Sequence, residues 1–383
     1  MKKIKVMSVF GTRPEAIKMA PLVKELQKTE GIEPIVCLTG QHREMLDSVM
    51  EIFDLKGDYD LNIMEKRQTL STITTKTLLG MDQVLEEAKP DLVLVHGDTS
   101  TTFAGALAAF YHQVKVGHVE AGLRTWDKYS PFPEEMNRTL VGDIADLHFS
   151  PTAANAENLK REAIAGDIFI TGNTAIDAMK YTVRENFTFS DDLLNHLDFD
   201  GKRVIAVTCH RRENYGQPME NIMHAILDLV EQNPDVEVVY PVHLSPVVRE
   251  CAFPILGNHP RIHLIDPIDV EQMHNLMARC FFVLTDSGGL QEEAPALGKP
   301  VLVMRRETER PEAIAAGTAK LVGVEKENII KEASELLHNP EAYAKMAKAV
   351  NPYGDGRASE RIAQAILWHF GAAKEKPEDF RAE

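Results

Sequence analysis

At 383 residues, with 44% apolar and 26% charged side chains, the chain exceeds what one hydrophobic core usually serves, and two globular domains are expected. Its formal net charge of −16 excludes a general binder of nucleic acid or anionic membrane, which needs a basic footprint, yet leaves room for a local basic pocket around a small anion. The four cysteines, Cys37, Cys209, Cys251 and Cys280, form no CxxC pair, and no run approaches the ~18–20 apolar residues of a membrane span. Buried thiols in a cytoplasmic protein follow.

The first apolar run is interrupted by Lys5 and too short for a signal peptide, so residues 4–10 read as a strand. Further β-rich runs at 34–39, 92–95, 114–119, 147–150 and 167–171 alternate with amphipathic helical segments over 15–27, 43–53, 70–88, 101–111 and 134–144. This is the pattern of a doubly wound parallel sheet. A polar, acidic stretch at 185–201 is the candidate interdomain region. Beyond it, strands at 203–208, 236–241, 262–265, 281–285 and 300–303 repeat the architecture without repeating the sequence. A helix over 358–370 precedes a charged tail, 371–383, expected to fray.

Two strands of the first half run into carboxylates, Asp98 in HGDT and Glu120 in HVEAGLRT, and a third acidic cluster, Glu134-Glu135, precedes a helix. Open α/β sheets bind ligands at such strand ends. Three carboxyl groups on different loops, with nothing obvious to pair them, suggest acid/base chemistry. Asp98 has a competing reading as the cap of a helix beginning near Thr101, and Glu134 as a first-turn acid. Glu120 has neither alternative.

Cations lie elsewhere. Gly11-Thr12-Arg13-Pro14-Glu15 joins the first strand to a helix whose N-terminus favours anions, with Arg13 and Lys18 close by. No GxGxxG or GxxxxGK[ST] is present, which removes the commonest dinucleotide and ATP readings. In the second half, Thr285-Asp286-Ser287-Gly288-Gly289 opens another helix suited to phosphate, with Glu292 or Glu293 in reach of a ribose hydroxyl; a serine-capped tight turn is the plainer reading. His210, in TCHRREN, could hold phosphate or act as an acid, with Arg211 and Arg212 beside it. His96, His118, His148 and His243 have weaker cases. Nothing resembles HExxH, a facial triad or an EF-hand, and neither a required metal nor another cofactor is expected.

Taken in order, GTRPEAIK, TGQHREM, HGDTSTT, HVEAGLRT, SPFPEEMNR, TCHRREN and TDSGGLQEEAPALGKPVLVMR closely resemble the bacterial non-hydrolysing UDP-N-acetylglucosamine 2-epimerases, from Lys3 to about Phe370. The resemblance implies a GT-B-like α/β fold: two doubly wound, Rossmann-like parallel-sheet domains facing across a cleft. It places a catalytic domain at 1–172, a UDP-binding domain at 173–357, and a last helix at 358–383 that packs back on the first domain. It implies a homodimer that interconverts UDP-GlcNAc and UDP-ManNAc for cell-surface polysaccharide, through loss of UDP to 2-acetamidoglucal and re-addition. By motif match, Arg13, Lys18, His210 and Ser287, Gly288 and Gly289 would hold UDP, with Glu293 on its ribose. Asp98, Glu120 and Glu134 would act on the sugar, and His210 would share in catalysis. A second UDP-GlcNAc, bound as activator, would meet Gln41, Arg67, Arg211 and His243, although Glu44 stands where glutamine is expected. A hydrolysing epimerase, a GT-B glycosyltransferase and a non-catalytic UDP-sugar sensor are the alternatives.

Overall fold

The computed structural model describes residues 2–41, 43–65 and 67–382, without the side chains of Arg43, Glu44 and Met45. The chain divides into two units, Met1–Tyr181 with Tyr353–Arg381, and Thr182–Pro352 with the last two residues. The acidic stretch at 185–201 lies inside the second. No described helix is long and apolar enough to cross a membrane.

The first unit holds a seven-stranded parallel sheet, β1 (Ile4–Phe10), β2 (Ile32–Leu38), β3 (Tyr59–Asp60), β4 (Leu92–His96), β5 (Lys115–Val119), β6 (Leu147–Ser150) and β7 (Asp167–Ile170), in the order β3-β2-β1-β4-β5-β6-β7. The central strands β1, β4 and β5 are almost wholly buried and mostly apolar because both faces are covered. Side chains alternate between those faces: Val6, Phe10, Leu92 and Leu94 join one buried cluster, Met7, Val9, Val93 and Val95 the other. The helices Arg13–Lys28 and Ala358–His369 share the first cluster through Met19, Leu22, Ile362 and Ile366. Asp177 fastens the latter helix, accepting from Ala358 N at 3.1 Å and Ser359 N at 2.6 Å.

The second unit carries a six-stranded parallel sheet of β8 (Arg203–Thr208), β9 (Val236–Pro241), β10 (Ile262–Ile265), β11 (Phe282–Thr285), β12 (Val301–Val303) and β13 (Ala319–Leu321), ordered β10-β9-β8-β11-β12-β13. In each unit the winding reverses once, between β1 and β4 and between β8 and β11. Crevices for ligands open at the carboxyl ends of such strand pairs.

Three sequence expectations need correction. β3 and β13 were not foreseen, being edge strands of two and three residues. The helix expected to begin near Thr101 starts at Ser100 and is capped by Thr99, whose hydroxyl accepts from Thr102 N, so Asp98 is not its cap. The tail does not fray. Phe380 is buried, its N–H donates to Ile170 O at 2.7 Å, and Asp379 accepts from Ile170 N at 2.9 Å, which occupies the outer edge of β7.

Candidate active site

At the switch point of the first unit, Thr12 and Glu15 form a reciprocal capping box at the start of helix Arg13–Lys28. Glu15 does more than cap. Its buried Oε2 accepts from Gly11 N at 3.0 Å, Thr12 N at 2.8 Å and Thr12 Oγ1 at 2.8 Å; its Oε1 accepts from Thr99, Thr102 and Thr101 hydroxyls at 2.6, 3.1 and 3.4 Å. One carboxylate therefore ties the loop after β1, bearing Arg13, to the loop after β4, bearing Asp98.

Glu120 follows β5 with φ 64, in the left-handed region, where a non-glycine residue costs about 1–2 kcal/mol. Strain of this kind persists where the surroundings enforce it, and it concentrates at functional sites. Its Oε2 meets Lys18 Nζ in an ion pair, accepts from Asn173 Nδ2 at 3.2 Å, and lies 3.7 Å from His96 Nε2. Burial pushes the pKa of His96 down, against the pull of Glu120, leaving a neutral imidazole beside the carboxylate. His118, two residues before Glu120, donates from Nε2 to Gly97 O at 2.7 Å, and burial pushes its pKa down to about 3.

Asp98 pairs with Arg138 Nη2 at 2.5 Å, and Arg138 Nη1 meets Glu135 Oε2 at 3.0 Å. Glu135 is buried and also accepts from the N–H groups of Thr125 and Trp126 at 2.9 Å each. Glu134 opens helix Glu134–Ile144 and is half-buried. The expectation of unpaired carboxylates is thus overturned: Asp98 and Glu120 each have a cation. Lys18, expected on a diphosphate, sits against Glu120. Asp98, Glu120, Lys18 and Arg138 belong to one unit, joined through neighbouring loops.

At the switch point of the second unit, Asp286 ends β11 fully buried and accepts from His210 N and Arg211 N at 2.8 Å each, shaping the loop after β8. The His210 ring stacks on exposed His243 at 5.4 Å between centroids. Burial chiefly lowers the pKa of His210, with His243 and Arg211 adding to that and Asp286 opposing it. Ser287 stands at the N-cap without a side-chain cap bond, so the serine-cap reading fails. A Cβ on Gly288 would lie 3.5 Å from the Arg310 guanidinium and 3.6 Å from that of Arg211, so two guanidinium groups flank this turn, that of Arg310 also paired with Glu292. Glu293 Oε2 lies 3.3 Å from His274 Nε2, which is itself held by Thr182. Of the residues expected at an activator site, Gln41 and Arg67 lie in the first unit, Arg211 and His243 in the second; the side chain of Glu44 is outside the described residues.

Sequence reasoning missed Glu15, Glu135, Arg138, Asp286 and Arg310. The motifs of the first four were in view, GTRPE, PFPEEMNR and TDSGG, but their partners are set by the sheet order; Arg310 lies outside every motif read from the sequence.

Two doubly wound parallel units, one with carboxylates at its switch point and the other with cations around a glycine turn, define a Rossmann-like α/β enzyme. The sequence profile of the UDP-N-acetylglucosamine 2-epimerases matches residues 24–367. The UDP-N-acetylglucosamine 2-epimerase of Bacillus subtilis is 58% identical over 381 residues, spanning 99% of each chain. A crystal structure from Listeria monocytogenes superposes with a TM-score of 0.94 at 56% identity, over 99% of this chain and 100% of that one. The UDP-GlcNAc 2-epimerase of Neisseria meningitidis, solved bound to UDP-GlcNAc, gives 0.84 at 49%, over 95% and 100%. The chain belongs to the UDP-N-acetylglucosamine 2-epimerase family, with the paired Rossmann-like domains of the GT-B type.

Proposed function

We propose that the protein is a non-hydrolysing epimerase that interconverts UDP-GlcNAc and UDP-ManNAc at carbon-2. The observation that carries this reading is Glu120, held in a strained backbone conformation with its carboxylate against Lys18, Asn173 and neutral His96. Carbon-2 has no adjacent carbonyl to acidify its hydrogen, so direct proton removal is too slow. Breaking the carbon-1–oxygen bond first sends its electrons to UDP and leaves an oxocarbenium-like sugar whose carbon-2 proton a carboxylate can take, giving 2-acetamidoglucal. Proton return on the opposite face and attack of the UDP oxygen at carbon-1 complete the reaction.

In this reading Asp98 and Glu120 exchange the proton and Glu134 supports the cationic sugar. Arg13, Lys18, His210 and the Ser287–Gly289 turn hold UDP, and Glu293 takes the ribose. The cationic surroundings of Gly288 support the UDP assignment. His210 joins catalysis by stabilising the departing diphosphate. The domains correspond to the two units, the first bearing the carboxylates and the second the Ser287–Gly289 turn, with Tyr353–Arg381 returning to the first. The protein works as a cytoplasmic homodimer that supplies ManNAc units for cell-surface polysaccharide. UDP-GlcNAc also activates through Gln41, Arg67, Arg211 and His243, so conversion of UDP-ManNAc should quicken when a trace of UDP-GlcNAc is added.

Incubation with UDP-GlcNAc in heavy water, without NAD or metal, should give UDP-ManNAc deuterated at carbon-2. Free ManNAc and UDP would indicate hydrolysis instead, and a requirement for NAD would overturn the mechanism. Glu120→Gln and Asp98→Asn should each abolish deuterium entry; full exchange in either removes that residue from the proton path.

A further inference from the structure

Asp286 divides its two oxygens unequally. Oδ2 takes His210 N and Arg211 N at 2.8 Å each and Asn214 Nδ2 at 3.2 Å. Oδ1 is as deeply buried and has no nitrogen or oxygen donor among the described residues; the buried Cys209 thiol, whose pKa Asp286 helps to push up, is the weak donor at this carboxylate. An unfilled oxygen on a buried carboxylate is costly and calls for a partner in some state of the molecule. His210 Nε2 lies 4.0 Å from it, too far for a hydrogen bond and near enough to become one with a small ring movement.

The other groups facing His210 set whether its ring is charged. Burial, His243 and Arg211 all disfavour a charged ring, and Asp286 alone among the named neighbours favours it. A diphosphate arriving beside Arg211 and Gly288 reverses that balance, since its negative charge offsets the arginine and favours an imidazolium.

We propose that Asp286 is a positioning residue for His210: on binding a nucleoside diphosphate, His210 takes a proton from solvent and closes Nε2 onto Asp286 Oδ1, which aims the other ring nitrogen at the anion. The inference rests on the proposed binding of UDP at this loop and adds to it a proton uptake controlled by a residue that never touches the ligand.

Asp286→Asn is the discriminating variant, because its carbonyl can keep the three donors of Oδ2 while the amide nitrogen replaces the unfilled oxygen. The full chain is titrated with UDP by calorimetry near about pH 8, where an ordinary histidine is neutral, in buffers of different ionisation enthalpy. The wild type should take up a proton per UDP that His210→Gln does not. Asp286→Asn should lose that uptake and bind UDP about tenfold more weakly, the scale of one charged hydrogen bond. Asn214→Ala, which removes a donor from Oδ2 and from Met304 O but touches neither Oδ1 nor His210, should keep it. Wild-type uptake in Asp286→Asn, with loss in His210→Gln, would overturn the role of Asp286 and leave UDP binding intact. No UDP binding by the wild type would instead remove the nucleotide reading itself. Independently of any variant, the His210 pKa followed by NMR in labelled wild-type protein must rise on saturation with UDP; no change, or a fall, overturns the proposal.

Discussion

Replacing Glu15 asks how much one buried carboxylate contributes by joining two loops. In Glu15→Gln the amide oxygen can take the place of Oε2 and keep the donors from Gly11 and Thr12, while its NH2 faces the threonine hydroxyls, which must rotate to accept. What is lost is charge assistance: hydrogen bonds to an ion contribute about 1.5–3 kcal/mol against about 1 for neutral pairs, so a net loss of about 2 kcal/mol is expected over the shortest contacts. Glu15→Ala also orphans the N–H groups of Gly11 and Thr12, raising the cost to about 4 kcal/mol. The first unit comprises Met1–Tyr181 and Tyr353–Arg381, about 210 residues. At that size each kcal/mol moves the unfolding midpoint by about 2–4 °C, giving falls of about 4–8 °C for glutamine and about 8–16 °C for alanine. Differential scanning calorimetry reads both. Because the joined loops carry Arg13 and Asp98, kcat/KM should fall at least about tenfold in Glu15→Gln at a temperature where it is folded. A glutamine variant with wild-type midpoint and wild-type kcat/KM would refute the reasoning.

Arg138→Ala leaves Asp98 and buried Glu135 without their shared cation and should cost about 3 kcal/mol in urea unfolding, with kcat reduced and Arg138→Lys restoring only part of it. His118 is held near 3 when folded against about 6.5 unfolded, so below pH 6.5 the unfolded chain binds the extra proton and stability falls as pH falls. That single group contributes about 1.4 kcal/mol of loss per unit between about pH 6 and 3, and His118→Gln should flatten the slope in urea titrations at successive pH values; an unchanged slope counts against it. Phe380→Ala should release the tail from β7, seen as faster amide exchange at Ile170 and proteolysis within residues 371–382, with core catalysis retained.

The strands were legible because a sheet covered on both faces demands uninterrupted apolar runs, and LVLVH or RVIAVT admits little else. Where the run is two or three residues long, as in Tyr59–Asp60, there is no period to read. The candidate residues at strand ends, Asp98, Glu120 and Ser287, could be placed from sequence because position in a doubly wound sheet is itself the signal. Their partners were not. Arg138 finds Asp98 across 40 residues of sequence, and Lys18 finds Glu120 across 102. Such pairings follow from the strand order, which no local pattern encodes. The tail misled for a similar reason: one large apolar side chain, Phe380, among charged ones gave no hint that it docks on β7.

The chain leaves the first unit at Tyr181 and rejoins it only at Tyr353. On the ribosome, then, the half that bears the carboxylates must wait. Helix Ala358–His369, with Ile362 and Ile366 in the first core, and the caps that Asp177 supplies to it, emerge only after every strand of the second sheet has been made. Domains usually mature in order of synthesis; here the first sheet to be translated is the last to acquire its full cover. A messenger truncated within the second half would therefore leave both units incomplete, and activity can appear only with the last turns of the polypeptide.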